Sequence, residues 1–93
     1  MGLGKVEKTI TAEDTYTEWI SVHKMFNVSI SGISGDAVYL QKTFDGGTTI
    51  KDVASFTADL EAQWEEPEWG VQYRLGVKTG GYGAGTILCR ISQ

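Results

Sequence analysis

Short runs in which apolar and polar side chains alternate are the feature that most restricts how this chain can fold. Every second residue is apolar from 71 to 77 and again from 87 to 91. Residues 26–30 repeat the pattern, with Phe26, Val28 and Ile30 at alternate positions. Successive side chains of a β-strand point to opposite faces, so this period predicts strands that are buried on one face. An antiparallel sheet packed on a core from one side has this pattern.

Glycine residues separate the alternating runs. The 93-residue chain has 12 glycines and one proline. The sharpest turn signal is Asp45-Gly46-Gly47, because glycine tolerates the positive φ of tight hairpin turns and aspartate accepts a backbone hydrogen bond. It predicts a hairpin of residues 37–44 and 48–56, with a bulge or bend near Asp52 where the alternation breaks. The side chains predicted to face inward in this hairpin are Val38, Leu40, Phe44, Ile50, Val53 and Phe56, and those predicted to face outward are Gln41 and Thr43.

The rest of the chain also favours strands. Weaker strand patterns cover residues 6–11 and 17–22, while the runs at 71–78 and 86–92 are expected to pair as a C-terminal hairpin. Residues 58–64 are the only segment with helical character, and they are too short to form a stable helix alone.

These patterns together predict an all-β fold with about six to eight short strands. Such a chain forms a small antiparallel β-sandwich, jelly-roll or immunoglobulin-like, or a barrel, and these alternatives stay open. We assign residues 1–16 to an N-terminal arm or edge strand, and residues 17–93 to a single β-sandwich domain. The strand within the arm, around Val6 and Ile10, is expected to pair with the sheet edge of a neighbouring molecule.

Charge and hydropathy disfavour several classes of partner. Eight Lys and Arg residues against 12 Asp and Glu give a net charge of -4, whereas nucleic acids and anionic membranes require a basic face. No apolar run reaches the roughly 18–20 residues of a transmembrane helix. The first residues lack the apolar stretch of a signal peptide, and the single cysteine, Cys89, cannot form an internal disulfide. We therefore expect synthesis in the cytoplasm.

Two motifs are associated with nucleotide binding or catalysis in other proteins, but neither predicts such a function here. The glycine-rich segment at residues 80–85 precedes a strand pattern, whereas a phosphate-binding loop precedes a helix, so we expect a flexible hairpin loop with an exposed Tyr82. The segment TFDGGTTI at residues 43–50 resembles the Asp box of sialidase-type propellers. That resemblance implies a stabilised hairpin turn without glycosidase activity, because the chain is too short for a propeller.

An acidic stretch is the remaining source of reactive groups. It comprises Asp59, Glu61, Glu65, Glu66 and Glu68, without a Lys or Arg between residues 51 and 74. Paired carboxylates hydrolyse glycosides and grouped ones bind calcium, but the spacing here matches no EF-hand loop. We interpret the stretch as a solvated loop that steers docking onto a basic surface. His23 lacks metal-ligand spacing and Cys89 alternates inward, so we predict no enzyme, metal site or cofactor.

Trp64 and Trp69 flank the most acidic part of this stretch. Tryptophans at such positions cover an open end of a sandwich, anchor a protein interface or stack on sugars. All three interpretations stay open at the level of the sequence.

Five segments in order carry a family resemblance: FNVSISG at 26–32, LQKTFDGGTT at 40–49, EEPE at 65–68, YRLGVKTG at 73–80 and RISQ at 90–93. Over about three-quarters of the chain, this order resembles small virion-associated proteins encoded in the structural gene clusters of tailed phages and prophages. The presence of Trp64 and Trp69 departs from the pattern of that group.

The resemblance implies a phage virion structural protein made in the cytoplasm of the host bacterium. We expect a homo-oligomeric capsid decoration (cement) protein that binds the major capsid protein, or other virion proteins, and stabilises the outer head surface. The alternatives are a tail or head–tail component and a small carbohydrate-binding module. The candidate interface residues are Val6, Ile10, Trp64, Glu66, Trp69 and Tyr82.

Overall fold

The computed structural model describes residues 4–93. Its strands are β1 (Lys5–Ile10), β2 (Thr15–Tyr16), β3 (Ile20–Ser31), β4 (Val38–Thr43), β5 (Lys51–Phe56), β6 (Leu60–Val77) and β7 (Ile87–Ser92). They form one antiparallel sheet in the order β1-β7-β3-β6-β4-β5, and β2 pairs with the end of β6. The predicted all-β class is confirmed, and the architecture is consistent with a small β-sandwich or barrel. The described part of the chain contains no helix that is long and apolar enough to span a bilayer.

The two longest strands, β3 and β6, allow the single sheet to enclose a core. Residues 60–66 of β6 pair with β3, which continues to β7 and β1, whereas residues 72–76 pair with β4, which continues to β5. Side chains from both halves of the sheet meet in one cluster. Its fully buried members include Ile10, Phe26, Val28, Leu40, Leu75, Val77, Ile87 and Ile91. The sheet therefore folds over on itself, and the alternating apolar positions line the inside.

A wide bulge interrupts the β3–β6 pairing. Val22 pairs with Val71, but the next pair is Lys24 with Glu66, so His23 alone lies opposite residues 67–70. Lys24 has a φ of 66° and Gly70 a φ of 80°, which shows that the chain turns sharply on both sides of the bulge. Side chains alternate along a strand, so the extra residues change which positions of β6 face inward. Before the bulge the inward residues have even numbers, and after it they have odd numbers.

Three sequence predictions about strand connections are corrected. Residues 17–22 and 25–31 were expected to be separate strands, but residues 20–31 form the single strand β3. Residues 60–64, with their helical character, begin β6. The C-terminal hairpin is also wrong, because β7 pairs with β1 and β3. The second half of β6 already pairs with β4 on one side and with β2 and β3 on the other, which leaves no edge for β7.

The hairpin of β4 and β5 is confirmed, including its bulge. Gly46 and Gly47 have positive φ, and Asp45 Oδ1 accepts the Thr49 N–H at 2.8 Å. The backbone bond from Thr49 is the main reason that the pKa of Asp45 is lowered. Leu40 pairs with Ala54, but the next residue, Gln41, pairs with Asp52, so the register shifts between these two pairs.

Several side chains of this hairpin face differently from the prediction. Val38 and Leu40 are buried as expected, but Phe44 is 54% exposed and Ile50 is 42% exposed. Both lie beyond the paired residues, since β4 ends at Thr43 and β5 begins at Lys51. The predicted outward residues Gln41 and Thr43 are buried. The Thr43 hydroxyl accepts the Gly47 N–H at 2.9 Å and donates to Asp45 at 2.8 Å, so the turn encloses it. Val53 and Phe56 are partly buried against the core.

The glycine-rich loop at residues 80–85 does not connect a hairpin as expected, because β7 pairs with β1 and β3 and not with β6. The backbone N–H groups of Gly83 and Gly85 donate to the carboxylate of Asp36, which also accepts the Ser34 N–H at 2.8 Å. These bonds, led by the one from Ser34, lower the pKa of Asp36. Tyr82 is partly buried against the core, and its hydroxyl donates to the Gly85 carbonyl at 2.6 Å.

Candidate binding surface at the β6 bulge

Trp69 is the most exposed large apolar side chain of the described residues, with 79% of its surface accessible. The bulge at residues 67–70 lifts it away from the paired strands. The His23 ring stacks on it, with ring centroids 3.5 Å apart and planes 19° apart. His23 Nδ1 also lies 3.2 Å from the Glu68 carbonyl oxygen. The two contacts hold the indole in place while most of it faces solvent, as expected of an interface anchor.

The base of the bulge is held by the carboxylate of Glu66, which is only 4% exposed. Its Oε1 accepts the Tyr73 hydroxyl at 2.7 Å and lies 3.6 Å from Lys42 Nζ, and its Oε2 accepts the Glu68 N–H at 3.1 Å. Burial raises the pKa of Glu66, but the bonds from Tyr73 and Glu68 and the charge of Lys42 outweigh it and lower the pKa. The pKa of Tyr73 is raised by burial and by the neighbouring carboxylate. Glu66 therefore forms hydrogen bonds with Glu68, within the bulge, and with Tyr73, on the strand after it.

A groove of about 570 Å³ runs beside the bulge. It is lined by Lys42, Phe44, Val53, Trp64, Glu65, Glu66, Pro67, Glu68, Val71 and Tyr73. Trp64 packs against the core and meets the ring of Phe56 edge-on, with centroids 5.9 Å apart. Trp64 therefore covers the core, whereas Trp69 has the geometry of a contact residue.

The other candidate interface residues lie away from this surface. Val6 is partly buried on β1, and Ile10 is fully buried in the core, so Ile10 presents no side chain to a partner. All six residues of β1 pair with β7 of the same chain. Residues 1–3 of the predicted arm lie outside the described residues. Trp64, Trp69 and Tyr82 do not form an exposed aromatic platform, because only Trp69 is mostly accessible.

The acidic stretch is mostly strand and not a loop. Glu61 and Glu65 are exposed on β6, while Asp59 accepts the Ile33 N–H at 2.9 Å. Within residues 4–93, no group of three or more His, Cys, Asp and Glu side chains is placed to hold a metal ion. Cys89 is fully buried, and burial raises its pKa to about 12.

A second cluster, on the outer face of β4 and β6, was not predicted from the sequence. The Arg74 guanidinium lies 3.9 Å from the ring centre of Tyr16 and 4.5 Å from that of Trp19. Its Nε donates to Gln41, and burial lowers its pKa. Gln41 in turn donates to Asp52 at 2.8 Å, an acid that also pairs with Lys78. The sequence signal was the outward position of Arg74, but its three partners Tyr16, Trp19 and Gln41 lie far from it in the chain.

Comparisons of the chain with protein-family models, curated proteins and solved structures find no match. Its function is therefore inferred from its surface and from the sequence resemblance described above.

Proposed function

We propose that this chain is a structural protein of a tailed-phage virion, and that it decorates the outer surface of the head through non-catalytic contacts. The observation that carries the proposal is Trp69, which is 79% exposed yet held by the His23 ring. An ordered tryptophan loses little conformational entropy on binding and buries a large area, so it suits an anchor in a partner's pocket.

The charge around Trp69 supports a protein partner with a basic surface. Glu65 and Glu68 are exposed on either side of the buried Glu66. Opposite charges at the rim of an interface speed association and set orientation more than they add affinity. A decoration protein also gains avidity when many weak contacts repeat around a head. A homo-oligomer gains avidity in the same way, because it carries several copies of each contact.

Quantitative mass spectrometry of purified phage particles tests the proposal. On the head surface, we expect hundreds of copies of this chain per particle, scaling with the major capsid protein. A few copies per particle would assign the chain to the tail or the head–tail junction. Its absence from particles would overturn the virion role.

The contact residue is tested by binding purified protein to undecorated heads. We expect Trp69→Ser to weaken binding at least tenfold. Interface anchors of this kind contribute about 2 kcal/mol or more, and about 1.4 kcal/mol corresponds to a factor of ten in Kd. Leu88→Ser is the matched control, because Leu88 is 44% exposed on β7, a strand that does not line the groove beside the bulge. Equal binding by Trp69→Ser and the unchanged protein would contradict the role of Trp69.

A carbohydrate-binding module is the second candidate, and the accessible indole of Trp69 favours it. One face of the ring is available for stacking on a sugar because His23 stacks on the other. Glycan-array binding that is lost in Trp69→Ala would support this candidate. An array without signal would count against it.

A further inference from the structure

The free edge of β6 meets the groove beside the bulge at residues 64–66. Residues 60–66 pair with β3 on one side, and no strand of the described chain pairs with their other side. The remaining backbone-to-backbone bonds also leave this segment free. The consecutive residues 64–68 all line the groove, although side chains of a strand alternate between faces. The groove therefore follows the edge of the strand and not one face.

The opposite wall of the groove belongs to another sheet edge. Val53 of β5 lines it, and β5 pairs only with β4 within residues 4–93. The rings of Phe56 and Trp64 bridge the two walls, but the backbones of β5 and β6 are not paired. The sheet is thus open between β5 and β6, with unpaired backbone groups beside apolar side chains. Such an edge is a template for an added strand.

The charge of the groove indicates what kind of strand would fit. Lys42, the basic residue of the lining, is paired with Glu66 at 3.6 Å. Glu65 and Glu68 are exposed and form no ion pair in the described chain. The unpaired charge at the groove is therefore negative. A second copy of this acidic chain would bring like charges together, which disfavours it as the occupant.

We propose that the groove binds an extended segment of a partner protein in which apolar residues alternate with Lys or Arg. The segment adds to the free edge of β6 at residues 60–66 through main-chain hydrogen bonds. Its apolar side chains pack on Phe44, Val53 and Trp64, and its basic side chains meet Glu65 and Glu68. The inference does not depend on the virion role, because it rests on the open edge of β6 and the charge of the groove. Trp69 and the groove are tested with different variants, so failure of one proposal can be told from failure of the other.

The test is an NMR titration of ¹⁵N-labelled protein with a six-residue peptide of alternating lysine and valine, capped at both ends. We expect chemical-shift changes at residues 60–66 and at Val53, with a Kd of about 0.1–1 mM, as is usual for a short unstructured peptide. A peptide of alternating glutamate and valine should bind at least tenfold more weakly. The same weakening is expected for the lysine peptide when the salt concentration is raised to about 0.5 M.

Two pairs of variants locate the contacts. Glu65→Lys should weaken binding of the lysine peptide about fivefold or more, whereas Glu18→Lys, at an exposed site away from the groove, should not. Phe44→Ser should weaken it, and Ile50→Ser, at the other end of the same turn, should not. Phe44 and Ile50 are both exposed, so these substitutions leave the core intact.

Three results would overturn the proposal. The first is equal binding of the lysine and glutamate peptides, and the second is shift changes confined to β1. The third is sedimentation of the free protein as a dimer that Glu65→Lys or Phe44→Ser dissociates, which would make a second copy the occupant.

Discussion

Glu66 shows how far the role of one residue depends on its surroundings. In the sequence it is one of several acids in a charged stretch, but in the structure its carboxylate accepts bonds from Tyr73 and Glu68. A buried carboxylate remains charged only when such donors replace water. It therefore positions the bulge from a buried site at the wall of the groove.

Removing one donor tests this role. We expect Tyr73→Phe to lower the free energy of unfolding by about 1.5–3 kcal/mol, because a hydrogen bond to a buried charge is lost. The pKa of Glu66 should rise, since the lost bond favoured the charged form. Urea unfolding and carboxyl NMR titration measure the two effects.

Tyr39→Phe is the matched control, because the Tyr39 ring lies against Lys78 and its hydroxyl forms no side-chain bond in the described structure. Equal losses of stability in the two variants would contradict the role of the Glu66 carboxylate.

The carboxylate of Asp36 gives a prediction about pH. Its pKa is lowered, chiefly by the Ser34 N–H and also by the N–H groups of the glycine-rich loop. A lowered pKa stabilises the folded state above the unfolded pKa of about 3.9, and this stability is lost as the pH falls through the folded value. Asp36→Asn should therefore reduce stability at neutral pH and flatten its decline below about pH 4.

Urea unfolding from about pH 7 to about pH 2.5 measures both changes. Asp59→Asn serves for comparison, because Asp59 is exposed and accepts a single backbone bond. A decline of unchanged steepness in Asp36→Asn would show that Asp36 does not cause it.

At the scale of elements, alternation located most strands but not their neighbours. The inward positions of residues 71–77 and 87–91 were predicted correctly because side-chain direction is a local property of a strand. The pairing of β7 was not, because it depends on which edges other strands have already occupied. The bulge at residues 67–70 was missed for the same reason, since only the register with β3 defines it.

The glycine-rich loop lies in close contact with the turn at residues 32–36. A Cβ at Gly83 would lie 2.5 Å from the Gly35 carbonyl oxygen, and one at Gly80 would meet nothing within 4 Å. We expect Gly83→Ala to cost about 3 kcal/mol, the upper end of the overpacking range, because its Cβ would meet backbone atoms of the turn. Gly80→Ala should cost only about 1–2 kcal/mol, the strain of its φ of 81°.

Chemical denaturation of both variants measures the difference. A larger loss for Gly80→Ala than for Gly83→Ala would mean that the loop moves away from the turn at little cost.

At the scale of the whole molecule, Cys89 reports on opening of the core. Its side chain is fully buried and burial raises its pKa to about 12, so thiolate is scarce and inaccessible at neutral pH. We expect labelling by a thiol reagent to follow global unfolding, with rates that rise in parallel with destabilisation by Tyr73→Phe.

Mass spectrometry after timed labelling in increasing urea measures these rates. Labelling that is fast in the absence of urea and equal in both proteins would indicate local opening of β7 and contradict a uniformly closed core.

The sequence by itself determined the all-β class, the β4–β5 turn and the inward side chains of residues 71–77 and 87–91, because backbone conformation and alternation are set by adjacent residues. The buried state of Glu66, the cluster around Arg74 and the open edge beside Trp64 were decided only by the tertiary structure. Each of these joins segments far apart in the chain, such as β2 with β6 or β5 with β6. The bulge in β6 likewise shifts the register between β6 and β3. A pattern read along one strand carries no information about that shift, since a register belongs to two strands.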